Sequence, residues 1–322
     1  IPTAAQEPQL IPDEISCPTW VVSVERLFEL GGPRDTLNIV HTNHLPMDSR
    51  GRVSVQSVYV PGTIQVFDGQ GRHLSSFGRE GEGPGEFRSW AALLVSPGDS
   101  LFVFDSGNRR LSVFSPDHEL VRESRIGLIP NDGFFRPDGS IFVSAVDRSP
   151  QRFGIPLHVL SAEGEVLQSF GEVSRQLVGR DRLMLGRRVS SSSPTVVWVS
   201  HIYQYILERR DQEGELIELL ERHPEWFPST EVPPFLPQSG RDPPPFPLVT
   251  DIQVDDSGLV WVLLWVASDD WKLAFGEGEQ SPVRADLHDT IIEVIDPSER
   301  TVIGRARLDE VAIGFSAPGV FY

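Results

Sequence analysis

Between Phe77 and Glu119 the chain alternates short apolar runs with polar turns. Ala91–Val95, Leu101–Phe104 and Leu111–Phe114 are runs of β-forming residues, separated by Pro97-Gly98-Asp99 and by Ser106-Gly107-Asn108. Runs of this length bounded by such turns predict strands joined as hairpins. A fourth run, Leu120 to Ile126, completes a four-stranded antiparallel sheet of the kind that forms one blade of a propeller. The turn that precedes it holds Gly78, Gly81, Gly83 and Gly85, which let the backbone reverse sharply before Phe87.

The rest of the chain repeats this unit more faintly. Val66-Phe67-Asp68-Gly69-Gln70-Gly71 aligns with Val113-Phe114-Ser115, and the same third strand and turn recur around Ser161, Asp211 and Asp296. From Asp68 through Ser115, Ser161 and Asp211 to Asp296 the steps are 47, 46, 50 and 85 residues. A second strand keeps step at Gly51–Val55, Ser100–Phe104, Gly139–Val143, Thr195–Val199 and Gly258–Val262. No such unit buries both faces alone, so units of this kind stack on one another. Trp20–Leu30 alternates in strand fashion, and Val311–Tyr322 holds another apolar stretch with a turn at Pro318-Gly319. Together they predict a sixth blade shared by the two ends of the chain. The expected fold is therefore an all-β, six-bladed propeller over residues 20–322, preceded by an extended arm over 1–19.

The long step contains two insertions. His223–Pro247 is dense in proline, which fixes φ and lacks an N–H, so it predicts a loop. Ala267–Asp286 follows a strand at Leu259–Val266. Both interrupt neighbouring blades, and they are expected to converge into one lobe.

The order Phe77-Gly78, Gly81, Gly83, Gly85, Phe87, then Leu101-Phe102-Val103-Phe104-Asp105, Gly107-Asn108, Arg110 and Val113-Phe114 resembles the NHL repeat of six-bladed propellers. More narrowly, it is similar to secreted bacterial propellers whose blades carry a GEGPGEF connection. Trp90 stands where NHL repeats usually place proline. The resemblance covers this blade fully and the others in part, and it implies a fold rather than an activity.

A formal charge of −18 and a pI near 4.8 set the surface against a phosphate backbone and against an anionic membrane, so nucleic acid is excluded as a partner. No run approaches the ~20 apolar residues of a membrane span. The chain begins at Ile1 rather than methionine, and residues 1–18 hold no apolar leader core. That is the expectation for a periplasmic or extracellular protein whose leader has been removed. Cys17 is the single cysteine, which excludes an internal disulfide and any multi-cysteine metal site. It reads as an unreactive thiol.

Catalytic chemistry finds little footing. Calcium needs six to eight convergent oxygens, whereas Asp68, Asp138, Asp211, Asp255 and Asp296 fall at turns, where Asp caps its own backbone. His158, His201 and His288 each lie near a strand start and form the sharpest zinc hypothesis, but no pair of them has a local ligand spacing. Ser190–Ser193 lacks a nucleophile elbow, and the Gly78–Gly85 loop lacks the Gly-Lys-Ser/Thr ending of a phosphate loop. No catalytic, cofactor or metal residue is assigned.

The insertions instead carry aromatic residues: Trp226, Phe227, Phe235 and Phe246 in the first, Trp271 and Phe275 in the second. Two readings stand side by side. The aromatics face a partner protein, as tryptophan and phenylalanine at protruding surfaces often do, or they fold back as satellite cores. The expected function is a non-catalytic, exported scaffold that docks on other protein subunits, as an extrinsic part of a membrane-associated assembly; a respiratory or photosynthetic host would be a guess that no residue selects. The alternative is a metal-dependent hydrolase or lyase, of the lactonase or esterase kind, working at the centre of the propeller.

Overall fold

The structure, a computed structural model, describes residues 7–17, 21–27, 45–56, 60–147, 149–171, 186–230, 237, 239, 241–275, 284–317 and 319–322. Its strands run in chain order as β1 (Gln9–Leu10), β2 (Val53–Gln56), β3 (Ile64–Phe67), β4 (His73–Phe77), β5 (Trp90–Val95), β6 (Leu101–Asp105), β7 (Arg110–Phe114) and β8 (Leu120–Arg125). They continue with β9 (Leu128–Phe135), β10 (Ile141–Asp147), β11 (Leu157–Leu160), β12 (Val166–Phe170), β13 (Arg187–Ser193), β14 (Val196–His201), β15 (Ile206–Asp211) and β16 (Leu216–Glu221). The last are β17 (Leu248–Val254), β18 (Val260–Ala267), β19 (His288–Asp296), β20 (Thr301–Leu308), β21 (Phe315–Ala317) and β22 (Val320–Phe321). Among the described residues helix is confined to a 3-10 turn at Trp271–Phe275 and the short α1 (Arg284–Leu287).

Three four-stranded antiparallel sheets, β5–β8, β9–β12 and β17–β20, follow the meander predicted for a blade. In a fourth, β13–β16, a fifth strand is added at the outer edge, because β1 pairs in parallel with β16. β2–β4 make a three-stranded sheet, and an isolated antiparallel bridge joins Met47 to Val53 at the start of β2. The described residues thus form five blade sheets where the repeat count predicts six. The shortfall lies at the shared blade. Val21–Leu27 holds no strand, Trp20 and Phe28–Leu30 fall outside the described residues, and Phe315–Phe321 makes only the two-stranded hairpin β21–β22.

The contacts divide the chain into two compact units: residues 1–23 with 188–314, and residues 24–187 with 315–322. The first unit holds the two blades β13–β16 and β17–β20. Its core joins Tyr205, Leu207 and Leu220 of one blade to Val262, Leu264, Ile295 and Val302 of the other, with Ile11 of the arm and Phe227 of the first insertion buried among them. The second unit holds the other three blades. Phe87, fully buried, packs with Ile64 of one blade and with Leu93, Val103 and Phe114 of the next. Leu94, Phe104 and Leu111 pack in turn against Leu128, Val143 and Leu160 of the third.

The hairpin turns explain why the repeat was legible. Asp68 Oδ1 accepts the N–H groups of Gln70 and Arg72, both at 2.9 Å. Ser115 Oγ does the same for Asp117 and Glu119, and Asp255 Oδ1 for Ser257 and Leu259. A small side chain that mimics a backbone acceptor fixes each turn, and the residue three further on takes a left-handed conformation. Glycine fills that place at Gly71 (φ 78°) and Gly258 (φ 87°), while His118 (φ 64°) tolerates it with a side chain.

The glycine-rich connection is pinned from within its own blade. Asp105, fully buried, accepts N–H groups from Arg88, Ser89, Gly107 and Asn108 at 3.0–3.1 Å. Asn108 then donates to the Gly81 carbonyl, and the Arg110 guanidinium donates to the carbonyls of Gly83 and Glu86 at 2.9 and 2.6 Å. A side chain at Gly78 would stand 2.7 Å from both the Gly62 carbonyl and the Phe87 ring, so the loop closes only with glycine there.

Candidate functional site

Three residues before each turn, the third strand of every blade carries a polar side chain: Gln65, Ser112, His158, Glu208 and Glu293. Four of the five are 0–1% exposed. A polar group buried in a sheet needs a partner, and the facing fourth strand often supplies it. Ser112 donates to Glu123 across β7 and β8 at 3.0 Å, and His158 meets Ser169 across β11 and β12 at 2.8 Å. Glu293 faces Arg305 across β19 and β20, with Arg305 Nε donating to Glu293 Oε1 at 2.6 Å.

In the last of these pairs the ordinary cross-strand contact has grown into a cluster. Arg222, 1% exposed, donates from Nη2 to Glu293 Oε1 at 3.0 Å. Tyr205, fully buried, donates its hydroxyl to the other carboxylate oxygen of Glu293. Burial, and then the Glu293 charge, push the Tyr205 phenol well above its ordinary range, so it remains a hydrogen-bond donor. The Arg222 guanidinium lies 5.1 Å from the Tyr205 ring centre, and that of Arg305 lies 5.3 Å from the Trp226 ring.

The N-terminal arm closes this cluster. β1 lies along the outer edge of β16, with Gln9 opposite Leu220 and Leu10 opposite Glu221, and Ile11 N–H donates to the Glu221 carbonyl at 2.8 Å. Ile11 then turns inward and is 2% exposed. The Pro12 carbonyl accepts from Arg222 at 2.7 Å. The Asp13 carboxylate accepts from Arg222 at 3.0 Å and from Arg305 at 2.5 Å. Further on, the arm reaches the outer edge of the next blade: Ile15 bridges Val302 in parallel, and Ser16 N–H donates to the Val302 carbonyl at 2.9 Å. Two blade edges, β16 and β20, are thus crossed by one extended segment whose acidic residue sits between two guanidinium groups. Burial alone would lower the Arg305 pKa, but Glu293 and Asp13 outweigh it and hold the group above its ordinary value.

Of the six aromatics expected to face a partner, two are core residues. Phe227 is 1% and Trp271 6% exposed. Phe227 lies 5.3 Å and Trp226 6.5 Å from Tyr205, so the start of the first insertion folds back onto its own blade and covers the ionic cluster. Trp226, Phe246 and Phe275 are half-buried, and Phe235 lies outside the described residues. The ring contacts found for Trp271 stay local, with Phe275 at 6.1 Å and Lys272 over its face. For Phe227 and Trp271 this burial agrees with the satellite-core reading and leaves neither ring exposed for a partner, because each gains more by packing on its own chain than by facing water.

Of the three histidines in the zinc hypothesis, His158 and His201 are engaged in hydrogen bonds. His158 bonds Ser169 through Nδ1 and the Ile155 carbonyl through Nε2, and burial pushes its pKa down, so the ring is neutral. His201 meets Gln204 and Glu208 through its two nitrogens, at 3.2 and 2.7 Å. His288, 1% exposed, packs its ring 5.3 Å from Trp265. Asp68, Asp138, Asp255 and Asp296 accept from hydroxyls, guanidinium groups or backbone N–H groups within their turns, which hold all four carboxyls below the ordinary value. Among the described residues, no group of three or more His, Cys, Asp or Glu gathers into a set that could hold a metal ion. Cys17, a half-buried thiol, follows the arm's last contact with β20.

No family model matches this chain, and no curated protein matches it in sequence. The likeness of Phe77–Glu119 to an NHL repeat therefore rests on those residues alone. In structure the chain is similar to a DUF4221-family protein of Bacteroides vulgatus, at 12% identity and a TM-score of 0.59, over 88% of this chain and 84% of that one. It is also similar to a protein of Bacteroides fragilis described as exported, at 12% identity and a TM-score of 0.54, over 86% and 74% of the two chains. A virginiamycin B lyase of Staphylococcus aureus aligns over 86% and 90% at 10% identity, with a TM-score of 0.48. Likeness at such identities establishes the fold, an all-β propeller.

Proposed function

We propose that the protein is a non-catalytic, exported scaffold that binds other protein subunits, as an extrinsic member of a larger membrane-associated assembly. One observation carries this reading. Among the described residues the candidates for chemistry raised above are engaged in the fold: the turn carboxylates Asp68 and Asp255 cap their own backbones, and His158 and His201 have both ring nitrogens in hydrogen bonds. What the first unit offers instead is a pair of sheet edges that already accept an extended segment. Export is supported by the similar Bacteroides fragilis protein, and no helix among the described residues is long and apolar enough to cross a membrane. Of the half-buried insertion aromatics, Trp226 packs over the ionic cluster, which leaves Phe246 and Phe275 as the candidates to meet a partner.

The test is purification from the native source with identification of the protein that co-elutes. Phe246→Ala combined with Phe275→Ala is expected to weaken that association at least tenfold while the melting temperature stays nearly unchanged, as for loss of an interfacial aromatic worth about 2 kcal/mol. Ester or lactone hydrolysis that requires one bound metal, and disappears in His158→Ala or His201→Ala, would overturn the reading in favour of an enzyme.

A further inference from the structure

We propose that the groove running from the outer edge of β16 to that of β20 is a receptor site for an extended acidic peptide segment of a partner protein. The chain's own arm occupies it as a stand-in ligand. The inference rests on the scaffold reading and names the site and the chemistry of its ligand.

The seated arm defines what the groove accepts. Main-chain groups of Glu221 and Val302 fix an extended, parallel segment. The buried Ile11 requires an aliphatic side chain, and Asp13 requires a carboxylate two residues later. Charge decides the second requirement. With the arm seated, Arg222 and Arg305 are balanced by Glu293 and Asp13. With the arm out, two guanidinium groups share the single carboxylate of Glu293, so the emptied groove is cationic in an otherwise acidic protein. An occupant without an acid would leave one positive charge in excess in the pair Arg222 and Arg305, beside a guanidinium that is 1% exposed with the arm seated.

The arm is also held lightly enough to be exchanged. Only two of its residues form a strand, Leu10 is 61% exposed, and the Asp13 side chain is 48% exposed. Tethering adds a high local concentration to these contacts, and a free segment must outcompete both. A partner segment carrying the same aliphatic-x-acid pattern displaces it by competing for the same groups.

The probe is a fluorescein-labelled peptide with the sequence of residues 7–17, EPQLIPDEISC, added to the full-length chain. Ile11→Asp, or the milder Asp13→Ala should the first not fold, loosens the resident arm. Either variant, verified folded by circular dichroism, is expected to bind the peptide at least tenfold more tightly than the wild type, because the competitor in cis is weakened. Adding Arg305→Ala, or replacing the peptide's aspartate with asparagine, is expected to reduce that binding roughly tenfold or more, as for loss of a charge-assisted hydrogen bond. No binding to a folded, arm-loosened variant overturns the proposal, and so does binding indifferent to Arg305→Ala. A wild-type dimer in light scattering that Asp13→Ala dissolves would assign the groove to a second copy of the chain and overturn the partner assignment. The aromatic test above uses residues outside this cluster, so the groove can fail while the scaffold reading stands, and the reverse.

Discussion

The two units treat the same repeat position differently. In the three blades of residues 24–187 the third strand carries Gln65, Ser112 and His158, none of which bears a charge at neutral pH given the lowered pKa of His158. In the two blades of residues 188–314 it carries Glu208 and Glu293. A neutral polar residue meets one neighbour on the next strand, as Ser112 meets Glu123 and His158 meets Ser169, and His158 needs beyond that only the nearby Ile155 carbonyl. A buried carboxylate demands more. Glu208 takes His201 and Arg210, and Glu293 takes Arg305, Arg222 and Tyr205, the last two from positions 71 and 88 residues away. Glu208 finds both these partners within its own blade, whereas Glu293 draws Arg222 and Tyr205 from the neighbouring blade, and through Arg222 and Arg305 it is linked to the arm. The departure from regularity is where the proposed groove lies.

The comparison breaks most sharply at Glu293. Glu293→Ala removes the acceptor from the buried Arg222 guanidinium, the half-buried Arg305 guanidinium and a buried phenol, and is expected to cost about 3–5 kcal/mol, read as a shift in the urea midpoint. If the cluster serves binding rather than stability, replacing Glu293, Arg222 and Arg305 together with leucine or methionine should recover most of that loss while abolishing peptide capture. A triple variant as unstable as Glu293→Ala would mean that the cluster holds the unit together. The neutral counterpart should matter far less. Ser112→Ala is expected to cost about 1 kcal/mol, because the Glu123 carboxylate keeps its bonds to Arg110 and to the Gly85 N–H. A loss near that of Glu293→Ala would erase the distinction between the units.

How much of this could be read from the chain follows from the range of each interaction. The four strands of the Phe77–Glu119 unit and its turns were legible because their determinants are local: β-forming runs, an Asp or Ser at the turn start, and glycine where φ is positive. The turn role of Asp68, Asp255 and Asp296 was legible for the same reason. Glu293 and Arg222 were missed, because a glutamate in an apolar strand carries no local mark of its partners. A signal did exist, since aligning the third strands by their turns puts Gln65, Ser112, His158, Glu208 and Glu293 in one column. Which of the two readings holds for Phe227 and Trp271 was illegible, because whether an insertion leaves its blade or folds back is decided by the surface it meets. The strand expected at Trp20–Leu30 also failed where it is described: Val21–Leu27 has the alternation of a strand, but among the described residues no neighbouring strand pairs with it.

The smallest effect sharpens the comparison through pH. The folded His158 holds its pKa below the ordinary 6.5, first because burial disfavours the charged ring, with the Asp147 charge opposing that shift only in part. A lowered folded pKa means that the unfolded chain binds the proton more readily, so the contribution of His158 is present above about pH 6.5 and is lost as pH falls towards its folded value. The turn carboxylates Asp68, Asp138, Asp255 and Asp296 are also lowered, but from 3.8, so their contribution holds until the solution is much more acidic. Two acid limbs are therefore expected in the urea midpoint against pH. A shallow limb begins near pH 6.5 and a steeper one sets in below about pH 4. His158→Gln keeps a polar residue at the column position and has nothing to titrate, so it should flatten the upper limb and leave the lower one in place. An upper limb that persists in His158→Gln would transfer that titration to another group, with His118, also lowered by burial, the first to substitute.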